Sequence, residues 1–449
     1  MEVSLLDILN AREQRVKKQQ MILSIYGVPL ICFTMNIAGP VKTSPLIERG
    51  FRAGLAMLES QLPPEKILYR ESTVAATGCE AMYAVSMAAG EVKELCTQIE
   101  EASPLGRLFD MDVLDTNGKK LERPTLRGCL VCGAPGRVCA AGRLHPVSQL
   151  QEVTEGILIS HFAKADREEI AGLAVQSLLD EVFTTPKPGL VDCRNNGSHK
   201  DMNTELFIAS AHALKPYFEE CVKIGQDIAN ACPEETFSLL RQAGLAAEQT
   251  MYRATGGVNT HKGVIYTLGV LCGALGRLWS AAKPIGNTAA ILSQCAQLVK
   301  RSVEADFAAI DAATAGGRLY LEKGLRGIRG EVAAGLPSVA SVSLPVYKAC
   351  LAKGLTANDA GVVALLHLIA NVGDTNLHHR GGEDGAAWAA EAARELLKVS
   401  PYPQSQQLEA LDDSFITRNL SPGGCADLLA VTYFLHSLEQ FSEESQSGG

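Results

Sequence analysis

Along the chain the spacing of apolar positions changes once. Residues 1–20 read as a mixed-charge helix. Residues 21–37 and 66–86 carry Val, Ile, Tyr, Phe and Thr in short runs broken by Gly and Pro, the pattern of strands. Beyond His161 the apolar residues fall at helical intervals. In residues 169–183, Ile170, Leu173, Ala174, Leu178 and Val182 recur at three- and four-residue steps, and Pro186 and Pro188 end the run. The same spacing predicts helices over 205–221, 236–252, 262–282, 287–313, 359–372, 385–398 and 425–441. The pattern predicts two domains: an N-terminal α+β domain over 1–163 and a C-terminal all-α helical bundle over 164–449. The tail from Ser442 is low in complexity and expected to fray.

Composition sharpens this picture. A chain of 449 residues has room for two cores, and 47% hydrophobic with 20% charged residues suits a compact fold. Lys plus Arg number 41 against 50 for Asp plus Glu, a net charge of −9, so nucleic acid is not an expected partner. Thirteen cysteines, an odd number, and no export signal in the first helix predict free thiols and a cytoplasmic protein. The longest apolar run, residues 263–278, is too short for a bilayer and contains Arg277, so no membrane span is expected.

In residues 106–114, Asp110 and Asp112 stand two apart on a predicted strand and therefore share a face. Two such carboxylates repel unless a hard cation lies between them, and Mg2+ takes carboxylates together with phosphate oxygens. The alternative is a solvated strand end. Cys129, Cys132, Cys139 and His145 make a soft ligand set for Zn2+, with Gly133, Pro135 and Gly136 supplying turns; four residues that are simply buried would also account for them. Arg107, Arg127 and Arg143 flank both groups, and guanidinium forks suit phosphate.

In the second part, segments 186–192, 197–202 and 257–263 each combine glycine, a cation and a predicted helix start. Lys187, His199, Lys200, Asn259, His261 and Lys262 there would meet a phosphate at free backbone N–H groups, or else belong to ordinary capped helices. Asp192, Asp201, Asp374 and Asp427 sit beside glycine or at helix starts, with Arg380 close behind Asp374. In concert they could serve Mg2+ and a positively charged transition state; singly they are caps and turns. No Walker loop or dinucleotide fingerprint is present.

Two resemblances follow from these strings. Gly-Arg-Leu-Phe-Asp-Met-Asp-Val from Gly106, Arg123-Pro124, Arg127, Cys129-Leu-Val-Cys132, Cys139 and Arg143-Leu-His145 resemble the citrate lyase holo-acyl-carrier-protein synthase family. That family usually carries Cys-Ala-Arg-Ser-Arg where this chain has Cys139-Ala140-Ala141-Gly142-Arg143, so one arginine is missing at 141. Pro-Lys-Pro-Gly-Leu-Val-Asp from Pro186, Gly-Ser-His-Lys-Asp-Met from Gly197, Asn-Thr-His-Lys-Gly from Asn259, Gly-Asp-Thr-Asn from Gly373 and Ser-Pro-Gly-Gly-Cys-Ala-Asp from Ser421 resemble the triphosphoribosyl-dephospho-CoA synthase family.

Together the resemblances imply a bifunctional fusion that makes and attaches the citrate lyase prosthetic group. They imply ATP and 3′-dephospho-CoA as substrates with adenine released, and a serine of the apo citrate lyase acyl carrier protein (its gamma subunit) as acceptor with pyrophosphate released. A nucleotidyltransferase-like first domain and a need for Mg2+ follow from the same likeness. The competing readings are a helical scaffold with a zinc knuckle, and an N-glycoside hydrolase of the ADP-ribosyl type.

Overall fold

The computed structural model describes residues 2–123, 125–283, 287–310, 315–399 and 402–447. The chain divides into two compact units, Met1–Ala165 and Asp166–Gly449. The division falls inside one helix, Val147–Phe183, so the change of texture near residue 164 coincides with no loop.

Unit 1 is α+β. Strands β1 (Leu30–Met35), β2 (Ile67–Ala75), β3 (Gly78–Val85) and β4 (Phe109–Leu114) form an antiparallel sheet in the order β2-β3-β1-β4. Alternation sorts their side chains. Ile31, Phe33, Phe109, Met111 and Val113 are fully buried on one face, where Phe33 stacks on Phe51 of the helix Pro45–Gln61. On the other face Leu30, Cys32, Met82, Ala84 and Leu114 pack with Ile22 and Leu23 of the helix Leu5–Tyr26. That helix runs through residues 21–26, where a strand was expected. Gly27, at φ 63°, then ends it in the left-handed conformation that glycine accepts without strain.

Unit 2 is built of helices joined by loops, with no strand element among its described residues. Its centre is the helix Lys262–Leu278, in which Val264, Leu268, Leu271, Cys272 and Leu275 are all buried. Glycines let it approach the helix Lys215–Asp227 closely: a Cβ on Gly276 would lie 2.1 Å from the Val222 carbonyl oxygen. The helices Pro233–Ala254, Thr288–Ala308 and Gly423–Ser447 complete the surround. Several expected helices differ, those at 262–282 and 287–313 by ending early, at Leu278 and Ala308. Residues 205–221 are two helices, broken at Leu214 because Pro216 opens the second. The one expected at 385–398 begins at Thr375 and turns at Gly382, φ 65°. The helix 169–183 starts at Val147. Ala315–Lys323, Gly327–Ala333, Leu344–Ala352 and Ser405–Thr417 were not anticipated. The backbone stays helical to Ser447, where a frayed tail was expected. Residues 448 and 449, like Pro124 and 311–313, lie outside the described residues. Among the described residues no single helix is long and apolar enough to cross a membrane, and all thirteen cysteines are free.

Candidate functional site

Among the described residues each unit holds a large cavity. That of unit 1, about 810 Å³, opens beside β4. As the edge strand, β4 has backbone groups that no neighbouring strand satisfies, and side chains meet them. The Met111 N–H donates to Glu100 Oε1 at 2.7 Å, Lys93 Nζ donates to the Met111 carbonyl at 3.2 Å, and Arg127 Nη1 donates to the Phe109 carbonyl at 2.6 Å. Glu100 is buried between Arg127 (3.0 Å) and Arg123 (3.4 Å); burial raises its pKa while both arginines oppose the rise. Arg123 Nε and Nη1 and Arg127 Nε are buried without a hydrogen-bond partner, and both arginines line the cavity.

Asp110 and Asp112 do share the face of β4 that carries Leu114, opposite Thr34 and Cys32 of β1. Both line the cavity. Asp110 is exposed by area, yet the cleft walls desolvate its carboxylate and raise its pKa, and the charge of Asp112 adds to the rise. Lys120 Nζ lies 2.6 Å from Asp112. It was not singled out from the sequence, although the signal exists. Asn117-Gly118 with Gly118 at φ 77° is a turn, and it folds Lys120 back onto β4 through the bridge to Leu114. Arg107 also lines the cavity, and donates through Nη2 to the Gly128 carbonyl at 2.8 Å.

Cys129, Cys132, Cys139 and His145 converge: one ligand atom from each lies within 4.8 Å of all the others. A tight reversal at 128–136 accomplishes this, closed by the Cys129 N–H on the Ala134 carbonyl (2.6 Å) and the Gly136 N–H on the Arg127 carbonyl (3.0 Å), with Gly133 at φ 73°. Backbone N–H groups of Cys132 and Val131 lower the Cys129 thiol to about 7. Arg143 lines the same cavity.

The cavity of unit 2, about 750 Å³, is lined by the starts of the helices Lys262–Leu278, Thr375–Leu397 and Gly423–Ser447, three that carry residues singled out from the sequence, and by that of the short helix Gly327–Ala333. Asp374 joins two of them. Its Oδ1 accepts from the N–H groups of Asn376 (2.7 Å) and Leu377 (3.2 Å), and its Oδ2 from that of Cys425 (2.9 Å). Burial raises its pKa although these three donors pull it down. Asp427, one turn into its helix, is pushed well above the usual carboxylate range by burial and then by Glu181 and Asp374. Among the described residues no hydrogen bond to Asp427 is found. A Cβ on Gly263 would lie 1.8 Å from Asp427 Oδ2, so only glycine allows that helix start to come so near. Glu181, which the sequence reading missed, completes an acidic trio. It is buried, raised by desolvation, and held by Lys187 Nζ at 2.5 Å.

The basic residues divide by position. Arg380 Nη2 donates to His199 Nδ1 (3.2 Å); since arginine cannot accept, the imidazole proton sits on Nε2 and is donated to Ser421 Oγ (2.9 Å). Burial, then Arg380, lowers the pKa of His199 and keeps it neutral. His261 lies 2.7 Å from Ser210 Oγ through Nδ1, while its buried Nε2 has no partner; desolvation lowers it to about 3. Asn259 Oδ1 accepts from the Lys262 N–H at 3.2 Å, and Lys262 Nζ reaches Glu248 at 2.9 Å. Arg380, His199, Ser421, His261, Asn259 and Lys262 line the cavity, whereas Ser210 and Glu248 do not.

Four expected site residues do not. The segments 186–192 and 197–202 are loops and not helix starts. Lys187 is 1% exposed and turned inward onto Glu181, so it presents no ammonium to a phosphate. Asp192 is saturated by the N–H groups of Lys187 (2.8 Å), Arg194 (2.8 Å) and Asn195 (3.1 Å), which makes it the clasp of that loop. Lys200 and Asp201 are exposed and off the cavity wall.

The family model for ATP:dephospho-CoA triphosphoribosyl transferase matches residues 167–446, and that for apo-citrate lyase phosphoribosyl-dephospho-CoA transferase matches residues 3–161. The chain is 35% identical to Protein CitXG of Haemophilus influenzae, covering 97% of this chain and 96% of that one. It is 32% identical to Protein CitXG of Leuconostoc mesenteroides subsp. cremoris, covering 97% of each. A probable 2-(5''-triphosphoribosyl)-3'-dephosphocoenzyme-A synthase of Vibrio cholerae is 43% identical over 60% of this chain and 88% of its own length.

Proposed function

We propose that this chain, which belongs to the CitXG family, runs two consecutive transfers, one in each unit. Unit 2 is a triphosphoribosyl-dephospho-CoA synthase and unit 1 an apo-citrate lyase phosphoribosyl-dephospho-CoA transferase. In the first reaction the ribose 2′-hydroxyl of 3′-dephospho-CoA bonds to C1′ of the ATP ribose. The bond from C1′ to adenine breaks, the hydroxyl proton leaves, and the triphosphate is kept. In the second, a serine hydroxyl of the carrier protein attacks the α-phosphorus of that product and pyrophosphate departs.

The meeting of three helix starts with an acidic trio supports the first assignment. Backbone N–H groups and the positive ends of helix dipoles suit a triphosphate. Positive charge builds at C1′ as adenine leaves, and Asp427 is the carboxylate best placed to stabilise it, because Asp374 already accepts three hydrogen bonds and Glu181 holds Lys187. His261, neutral and with Nε2 unpartnered, is a hydrogen-bonding group for the substrate. Mg2+ fits this donor set, since hard oxygen ligands whose pKa values burial raises, with Glu181 and Asp374 adding to the rise at Asp427, gain from a cation. Asp374, whose Oδ2 accepts only the Cys425 N–H and keeps a lone pair, would hold it, and the ion's charge would neutralise the triphosphate.

For unit 1, Asp110 and Asp112 beside Arg127, Arg123 and Arg143 support a nucleotidyltransferase-like site. The carboxylates would hold Mg2+, and the unpartnered guanidinium N–H groups would take phosphate oxygens. The carrier protein is the partner we assign to this cleft, with domain limits at 1–163 and 164–449. Free cysteines and nucleotide substrates accord with a cytoplasmic setting.

The test is mass spectrometry of apo carrier protein incubated with the chain, ATP, Mg2+ and 3′-dephospho-CoA, with adenine followed by chromatography. The expected result is modified carrier protein and one adenine per transfer. Adenine release without dephospho-CoA would instead mark a hydrolase.

A further inference from the structure

We infer that Cys129, Cys132, Cys139 and His145 form a structural zinc centre that sets the arginine wall of the unit 1 cleft. Three thiols and one imidazole are a complete tetrahedral set for Zn2+. With Zn–S near 2.3 Å and Zn–N near 2.0 Å, tetrahedral ligand atoms should stand about 3.5 to 3.8 Å apart. Here Cys132 Sγ lies 3.5 Å from Cys139 Sγ and 3.3 Å from His145 Nε2, and all four ligand atoms fall within 4.8 Å of one another. Three consecutive elements have to cooperate to reach that distance: the reversal at 128–136, the short helix Gly136–Gly142, and the left-handed Arg143 at φ 47° that swings His145 back.

The surroundings agree with a metal. The Val131 N–H donates to Cys129 Sγ at 3.4 Å, the kind of donor that stabilises a bound thiolate. His145 uses Nε2 toward the sulfurs and places Nδ1 3.2 Å from Gln149 Oε1, an acceptor that fixes the tautomer in which Nε2 is free to bind a cation. No fourth protein ligand is lacking and no open position is required, so the centre is structural and takes no part in the chemistry itself.

Its consequence lies two residues upstream of three ligands. Arg127 precedes Cys129, Arg137 precedes Cys139 and Arg143 precedes His145 at the same interval, and all three arginines line the cleft. One ion therefore ties together the backbone that carries three cations. Without it that segment has little core to hold it, since Cys139 is the buried member of the four ligands.

The experiment uses the full-length chain purified without chelator. Elemental analysis should find about one zinc per chain, and cobalt exchanged for it should show the visible bands of a tetrahedral thiolate site. Zinc release to a colorimetric chelator should be at least tenfold easier from Gln149→Ala, in line with the effect of removing a partner of a ligand histidine. It should be easier still from Cys132→Ser, with circular dichroism verifying that each variant is folded. Stripping zinc should then slow transfer to the carrier protein and leave adenine release untouched. Less than about a tenth of a zinc per chain, with no cobalt spectrum on loading, would overturn the centre. Metal content is read without any assay of activity, so the centre and the assigned reactions can fail separately. Retention of zinc by Cys132→Ser equal to wild type would also overturn it.

Discussion

The two cavities face the same problem, holding polyphosphate beside carboxylates, and meet it with different parts. In unit 1 the carboxylates project from a strand edge, and the positive charge comes from side chains: Lys120 on Asp112, with Arg127 and Arg123 on Glu100. In unit 2 the cations near the acidic trio are already engaged, Lys187 on Glu181 and Arg380 on Ser198 and His199, so the positive pole offered to a ligand is the backbone at three helix starts. A strand edge leaves Asp110 and Asp112 partly open to water, although the cleft walls still raise Asp110. Helix ends brought together bury theirs, and buried acids titrate high and gain most from a bound cation.

The comparison breaks most sharply at the acids. Asp427→Asn should lower adenine release by at least about 100-fold and leave the thermal midpoint equal or higher, because it removes a buried charge. Asp112→Asn should reduce transfer to the carrier protein by a similar factor with adenine release intact. Loss of both activities in either variant would mean that the two sites are not separate. Asp374→Ala tests whether that residue is chiefly a joint between helices. Losing its cap should cost about 0.5 to 2 kcal/mol at each of two helix starts, read from denaturant melts.

Acidity separates the sites further. Burial raises Glu181, Asp374 and Asp427, so the folded state holds their protons more tightly than the unfolded chain. Their contribution to stability is complete below ordinary carboxylate pKa values and is lost as pH rises through the raised ones. Mg2+ should therefore raise the melting temperature of unit 2 more at pH 8 than at pH 5. His261 works in the opposite direction: lowered to about 3, it costs stability as pH falls below its ordinary value of 6.5. An equal Mg2+ effect at both pH values would argue against metal on the trio. The smallest expected effect is that of Lys262→Ala. Its ammonium is half exposed and shared with Glu248, so the Michaelis constant for ATP should rise by no more than about fivefold.

Much of this was legible in residue order. The switch from short β-rich runs to helical spacing, the common face of Asp110 and Asp112, and the metal-like set Cys129, Cys132, Cys139 and His145 all depend on local periodicity and spacing, which a chain carries in itself. So do the family motifs around Asn259, Gly373 and Ser421, which turn out to be three parts of one wall. Other features were decided by packing. Lys187 reads as a free cation beside glycine, but a loop clasped by Asp192 and anchored on Asp412 turns it onto Glu181. Glu181 itself carries no mark in the sequence, being one polar position near the end of a long helix. It becomes part of a site only because Asp427, 246 residues further on, is folded against it. Strand faces and helix caps follow from neighbours a few residues away. Which buried charge meets which is set by contacts distant in the chain, and only the tertiary structure can choose among them.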